Sequence, residues 1–470
     1  MSDQPPVPPG ATPGSTPPPA YPQQPPLAPP LPPVPPGAYP GDPRWPAPPP
    51  PPPTGSDRPG WIVPVAIIAV VALLIGLFIV LRDDDSGGGD FAAVDTSTTT
   101  TEPDTTTTTA AEVPAELDPT EFQALVDDIE AFVEQERGLQ FTEEVLVELA
   151  GEGDFQDQLL ADFEENVPDL VDSQDVLRAL GLIDPDTDLV AALRDLLDAG
   201  VVGFYNPETN RLVVRGTSAT PYVQTTIAHE LTHALDDQHF ELFRPELDDA
   251  DDESGFGFTA LSEGDAVHVE DAFLDTFTDE ERQQYDDEEA AIAAGYDFAT
   301  IPLVLFALIG APYLFGPELV ATILDAGGQE RLDAAFAQPP TTSEQVLEPE
   351  RYVAGEGPIA VPAPPADGEQ FDQGAFGALV LGILINDAAV FGGGQPGDAV
   401  DGWGGDAYVA WRNPDGTTCV RASFVGDTQR DTDEIAAALR DFADSTGANP
   451  LDASVTGGEP GQPVTLTSCG

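Results

Sequence analysis

The chain has 470 residues, with 84 acidic against 16 basic side chains and a formal net charge of −68; every basic residue is Arg and none is Lys. Such a surface repels phosphate backbones, whose binding needs cationic neutralisation, and it repels anionic lipid headgroups. Nucleic acid is therefore excluded as a partner, and the charge reads first as a device for solubility and salt tolerance.

Composition changes sharply along the chain. Residues 1–60 are dominated by Pro with Gly, Ala and Gln, which predicts a disordered, polyproline-type cytoplasmic tail, either a spacer or a ligand for Pro-recognising modules. Trp61 to Leu81 carries no charge and is close to the roughly 20 residues that cross a bilayer core. It lies between Arg58 and the run Arg82-Asp83-Asp84-Asp85, and it predicts a single N-terminal transmembrane helix over 61–81. Residues 82–115 form a Thr- and Asp-rich stalk of the kind found on exported proteins. Cys419 and Cys469, the only cysteines, suit a disulfide in an oxidising compartment. Stalk and cysteines together place the N-terminus in the cytoplasm and the C-terminal part outside the cell membrane.

Downstream, 116–354 is expected to form the main ectodomain, 355–370 a linker, and 371–470 a small C-terminal α/β subdomain; the fold class is α+β and mostly helical. Residues 118–200 read as helices, starting at Asp118-Pro119 and carrying Phe122, Leu125, Val126, Ile129, Phe132 and Val133 at helical spacing. Val201–Tyr205 and Arg211–Arg215 flank Asn206–Asn210 and predict a β-hairpin. A helix is expected from Pro221 to Phe240. Ile301–Leu324 is apolar but broken by Gly310, Pro312, Gly316 and Pro317, which predicts two buried helix pieces rather than a second membrane span. A helix is expected over Phe371–Ala388, strands over Tyr408–Trp411, Cys419–Val425 and Val464–Leu466, and a further helix near Thr432–Phe442.

All four histidines fall between 229 and 268, and two of them lie in His229-Glu230-Leu231-Thr232-His233. Spacing i, i+4 puts both imidazoles on one helical face, where two ring nitrogens reach a zinc ion about 2 Å away. Glu230 between them is placed to take a proton from a zinc-bound water. Val223, Ile227, Leu231, Ala234 and Leu235 form the opposite, apolar face. A catalytic zinc needs a third protein ligand and an open position. Glu263, on an expected helix about thirty residues further on, is the candidate third ligand. His268 lies about 140° around that helix from Glu263, so the two do not share one zinc; it remains a competing ligand or a hydrogen-bond donor to the transition state. His239 reads as a structural histidine. Asp236 and Asp237, one turn beyond His233, either orient an imidazole or are solvated charge.

Further stretches stand out: Gly203-Phe204-Tyr205-Asn206-Pro207, the run from His229 to Phe240, Glu263-Gly264-Asp265-Ala266, Pro312-Tyr313, the run Pro339 to Leu347, and Gly402-Trp403-Gly404-Gly405-Asp406. With the His-Glu-x-x-His motif, this pattern resembles the gluzincins, zinc metallopeptidases that use two His and a distant Glu as ligands. More closely, it is similar to a family of bacterial membrane-linked or secreted metallopeptidases, over most of 137–445. The resemblance implies His229, His233 and Glu263 as zinc ligands and Glu230 as catalytic base, in a zincin-like ectodomain. Two departures are present: Glu348 stands where relatives tend to have His, and Val267 stands where some gluzincins place an Asp four residues after the ligand Glu.

The resulting expectation is an anchored, outward-facing zinc endopeptidase that cleaves envelope or extracellular proteins or peptides, with Glu230 passing the water's proton to the leaving amine. His268, Tyr313 and Tyr352 are candidate donors to the developing oxyanion. The strand Leu212–Val214 either aligns an extended substrate or is a plain hairpin strand, and Gly402–Asp406 either positions substrate or braces the fold. The alternative is a catalytically inactive sensor or scaffold on the same fold, or hydrolysis of a non-peptide envelope component.

Overall fold

Asp118 opens helix α1 (Pro119–Arg137) by accepting the Thr120 N–H, with Pro119 at the first helical position, and Gly138 ends it in a left-handed conformation. The computed structural model describes residues 118–470 apart from 208, 249, 295–300, 393–395 and 446–450. The tail, membrane helix and stalk expected over 1–115 lie outside the described residues. After α1 come β1 (Leu146–Ala150), α2 (Glu152–Ala179), α3 (Leu189–Gly200) and the hairpin strands β2 (Gly203–Asn206) and β3 (Arg211–Arg215). The sheet order is β1-β3-β2, with β1 parallel and β2 antiparallel to β3. Strand β1 corrects the all-helical expectation for 118–200: Leu146-Val147-Glu148-Leu149 suits either state, and pairing along β3 decides it.

Helix α4 (Pro221–Phe240) has the bounds expected from sequence. Thr220 caps it through the Val223 N–H, Pro221 supplies the first position, and Glu241 stops it at φ 58°. Its Ile227, Ala228, Leu231, Ala234 and Leu235 share a core with Ile129 and Val133 of α1 and Leu212 and Val214 of β3.

Helices α5 (Ser254–Leu274), α6 (Asp279–Ala293), α7 (Leu303–Gly327) and α8 (Gln329–Ala337) follow. Helix α7 is one helix, not the two pieces expected, and it runs through Pro312 and Pro317. A proline removes one helical hydrogen bond; here the helix is held by burial of Ala311, Tyr313, Gly316, Leu319, Val320 and Ile323. Among the described residues, only α7 is long and apolar enough to cross a membrane, and half of its apolar window is buried. It touches α5 backbone to backbone at Gly264 and Gly316, where a Cβ on Gly316 would lie 2.9 Å from Gly264 Cα.

Short helices α9 (Ser343–Leu347) and α10 (Pro349–Ala354) lead to a five-stranded antiparallel sheet of order β4-β5-β6-β8-β7. Its members are β4 (Glu369–Gly374), β5 (Trp403–Arg412), β6 (Thr418–Gly426), β7 (Ser454–Gly457) and β8 (Val464–Cys469), with α11 (Gly377–Ile385) and α12 (Gln429–Ser445) adding apolar side chains to its core. The helix expected over 371–388 is thus split: its first residues are strand, and the helix begins at Gly377. The strand expected at Tyr408 extends back to Trp403. Cys419 and Cys469 are disulfide-bonded across β6 and β8.

Helix α2 serves both halves. Phe155, Leu159, Phe163 and Leu170 join the core under α5 and α7, while Val176 and Ala179 join the core of the C-terminal sheet. Ser468 Oγ donates to the Ala179 carbonyl at 2.6 Å, and Arg412 pairs with Asp172 and Asp175 at 2.6 and 2.9 Å. The architecture is mixed α+β and predominantly helical.

Candidate metal centre

Helix α4 presents His229 and His233 on one face, and α5 brings Glu263 against them. His229 Nε2 and His233 Nε2 are 3.2 Å apart, and each lies 3.3 Å from Glu263 Oε2. Tetrahedral ligands at about 2.0–2.1 Å from a zinc ion stand about 3.3–3.4 Å from one another, so this triangle has the edge lengths of such a site. Neither carboxylate oxygen of Glu263 makes a regular hydrogen bond among the described residues; apart from the two imidazoles at 3.3 Å from Oε2, this buried group needs a cation to satisfy it. His229, His233 and Glu263 are 7%, 0% and 1% exposed. The donor set and the buried carboxylate both fit a divalent metal ion.

Charge in the cluster agrees. Burial alone would lower the His229 pKa, but Glu263 and Glu270 override it and hold it well above the usual value. Burial alone would raise Glu263, but His233 and His229 hold it below the usual carboxylate range. Such a cluster attracts positive charge, as a proton or as a metal ion.

Outer partners fix the rings. His229 Nδ1 is 2.9 Å from Glu270 Oε2; a carboxylate only accepts, so Nδ1 carries a proton and Nε2 is the nitrogen turned to the centre, where a metal ion would take the place of a second proton. His233 Nδ1 is 3.2 Å from Ser262 Oγ. Sequence reasoning found neither partner. Glu270 was legible as the residue two helical turns beyond Glu263, on the same face of α5.

Glu230, 2% exposed, accepts the Tyr205 N–H at 2.9 Å through Oε2. Burial raises its pKa, against the opposing pull of His229 and His233. Gly203 of the same strand lies close against α4, where a Cβ would be 2.6 Å from Thr226 Cγ2.

Other expectations need correction. Asp236 and Asp237 do not orient the imidazoles. Asp236 Oδ1 accepts from Arg137 Nη2 at 2.8 Å, and Asp265 Oδ2 lies 2.7 Å from Arg137 Nε, all fully buried. Arg137 also donates to Gln329 Oε1 at 2.9 Å, so one guanidinium ties α1, α4, α5 and α8 together. Burial, reinforced by Asp236, pushes the Asp265 carboxyl well above its usual value. Asp237 accepts from the Tyr205 hydroxyl at 2.9 Å and from the Leu242 N–H at 2.8 Å.

His268 is half-buried on α5, outside the three-residue cluster, and its charge bears on Asp271. Tyr352 donates its hydroxyl to the Gln338 carbonyl at 2.7 Å. Tyr313, by contrast, is buried with its ring nearly parallel to that of His229, centroids 6.4 Å apart. His239 bonds the Gln140 carbonyl at 2.9 Å, the structural role expected of it. Strand β3 is paired on both sides and offers no edge to a peptide.

Motifs outside the centre brace the fold. Asp406 accepts the N–H groups of Phe376 and Gly377 at 2.8 Å each and Trp403 Nε1–H at 3.1 Å, closing the N-terminus of α11. Ser343 gives its N–H to Glu253 at 2.9 Å, and its hydroxyl accepts the Leu379 N–H at 3.0 Å. Glu348 accepts from Arg351 Nε at 2.7 Å.

A family model described as a domain of unknown function (DUF8575) matches residues 369–465, from β4 to the start of β8, and leaves the cluster outside. No curated protein and no solved structure matches the chain.

Proposed function

We propose that this chain is a zinc-dependent endopeptidase of the gluzincin kind on a zincin-like fold. Residues 61–81 anchor it in the cell membrane, with the catalytic part on the outer side. One observation carries the reading: two imidazole nitrogens and one buried carboxylate converge at 3.2–3.3 Å, with Glu230 between the two histidines on the same helix. The disulfide supports the outward orientation, because such bonds persist in oxidising compartments.

His229, His233 and Glu263 would hold the ion. Zinc, when bound, supplies a Lewis acid and brings the pKa of a coordinated water near 7. Glu230 takes the proton of the attacking water and gives it to the leaving amine, so that the peptide C–N bond breaks as the new C–O bond is kept. The Tyr205 N–H fixes one oxygen of that carboxylate. Burial raises the Glu230 pKa from the carboxylate range, in the direction that improves a general base near neutral pH. Tyr313, beside His229, is the candidate donor to the developing oxyanion that the geometry favours over Tyr352 and His268. The rival reading, a scaffold without catalysis, leaves Glu230 only its bond to the Tyr205 N–H and gives no reason for a carboxylate between the two histidines.

The test is cleavage of unfolded protein substrates by the full chain beside Glu230→Gln, each before and after chelator treatment and zinc return. Cleavage that is abolished by the chelator, restored by zinc and absent in the variant supports the proposal. Cleavage equal in both proteins overturns it.

A further inference from the structure

We infer that α5 orients both ligand imidazoles, with Glu270 as the positioning residue for His229 and Ser262 for His233, and that Glu270 sets the affinity of the centre. This rests on the metal reading and extends it from the ligands to the groups that aim them.

The one-turn position after Glu263 is Val267, which packs against apolar core and has no polar atom to offer an imidazole. Glu270 lies a further turn along, about 10 Å up the helix axis from Glu263. A side chain that far along reaches His229 because His229 Nδ1 points away from the centre, towards the C-terminal half of α5, and the contact closes at 2.9 Å. The carboxylate is desolvated at 9% exposure. Tyr285 of α6, buried against Tyr222 with ring centroids 5.3 Å apart, is near enough for its hydroxyl to feel the Glu270 charge. Ser262, adjacent to Glu263, meets His233 Nδ1 at 3.2 Å. The two imidazoles therefore have unequal partners: a buried carboxylate for one, a neutral hydroxyl for the other. Charge-assisted hydrogen bonds are about twice as strong as neutral ones, so the larger share of orientation and donor strength falls to Glu270.

The experiment measures the zinc dissociation constant of the full chain by competition with a chromophoric chelator, together with the visible spectrum of the cobalt-substituted protein and the melting temperature of the metal-free protein. Loss of such an outer partner weakens metal binding about 10–100-fold. The expected order is Glu270→Ala weakest, Glu270→Gln intermediate because it keeps an acceptor without the charge, and Ser262→Ala nearest wild type. The cobalt spectrum should shift in Glu270→Ala, a readout that a loss of fold stability alone does not move, and the metal-free melting temperature measures that loss separately. If Glu270→Ala does not fold, Glu270→Gln decides, with a weakening of about threefold or more expected. Tight zinc binding in wild type with unchanged affinity in the Glu270 variants overturns the inference and leaves the metal reading standing. Absence of zinc binding in wild type overturns both.

Discussion

Helices α5 and α7 meet at Gly264 and Gly316, and that contact sets where Glu263 sits. In Gly316→Ala the new Cβ would lie 2.9 Å from Gly264 Cα and N, and closer still to the Ala260 carbonyl oxygen; ordinary contact begins at 3.4 Å, so the helices must part by about 0.5 Å or more. Overpacking of this kind costs about 1–3 kcal/mol, which at about 2–4 °C per kcal/mol lowers the melting temperature by about 2–12 °C. Glu263 is bonded to Gly264 and moves with it, whereas metal–ligand distances tolerate only about 0.2 Å, so zinc affinity should fall as well. Gly310 lies on the same helix, and a Cβ there meets nothing within 4 Å. Gly310→Ala should therefore gain about 0.5–1 kcal/mol from reduced chain entropy. Calorimetric melts of the two variants, with zinc titrations, check the pair. A Gly316→Ala protein that melts at or above wild type would refute the close-approach reasoning.

Arg137→Met should cost about 3–5 kcal/mol, because Asp236 and Asp265 are left buried without their cation; a denaturant midpoint equal to wild type would contradict this. Reducing the Cys419–Cys469 bridge, which spans 50 residues, should cost about 4 kcal/mol by loop entropy, seen as a lower melting temperature in thiol. Burial raises Glu253 from 4.5 to about 8, with Asp406 adding in the same direction. A raised folded pKa stabilises the protein below the unfolded value and loses that contribution as pH climbs. The melting temperature should thus fall as pH rises from about 4.5 through about 8, and Glu253→Gln should flatten the slope. A slope unchanged in the variant would remove Glu253 from the account.

The sequence made α4 legible to its ends, because Thr220, Pro221 and the His-Glu-x-x-His spacing are all local signals. Glu263 was also within reach, as an acidic residue on a small-residue helix. What eluded sequence reasoning depends on tertiary partners. Asp236 looks like an imidazole partner until Arg137, 99 positions away in the chain, claims it. Glu270 shares the helical face of Glu263, but only the contact with His229 separates it from the chain's other acids. Pro312 and Pro317 signal a break by their chemistry, yet buried packing carries α7 through both. The strand expected from Tyr408 starts earlier because Gly404 and Gly405 join β5, where a Cβ on Gly405 would lie 2.1 Å from the Ile359 carbonyl oxygen; the Ile359 N–H bonds the Gly404 carbonyl at 2.6 Å.

On the proposed reading, His229, His233 and Glu263 form one zinc site. Elemental analysis of the full chain, purified without added metal and dialysed against a weak chelator, tests it most directly beside Glu263→Ala. One zinc per wild-type chain, lost from the variant while its fold persists, is the expected result. A wild type without zinc, or a variant that keeps its full complement, would contradict the claim.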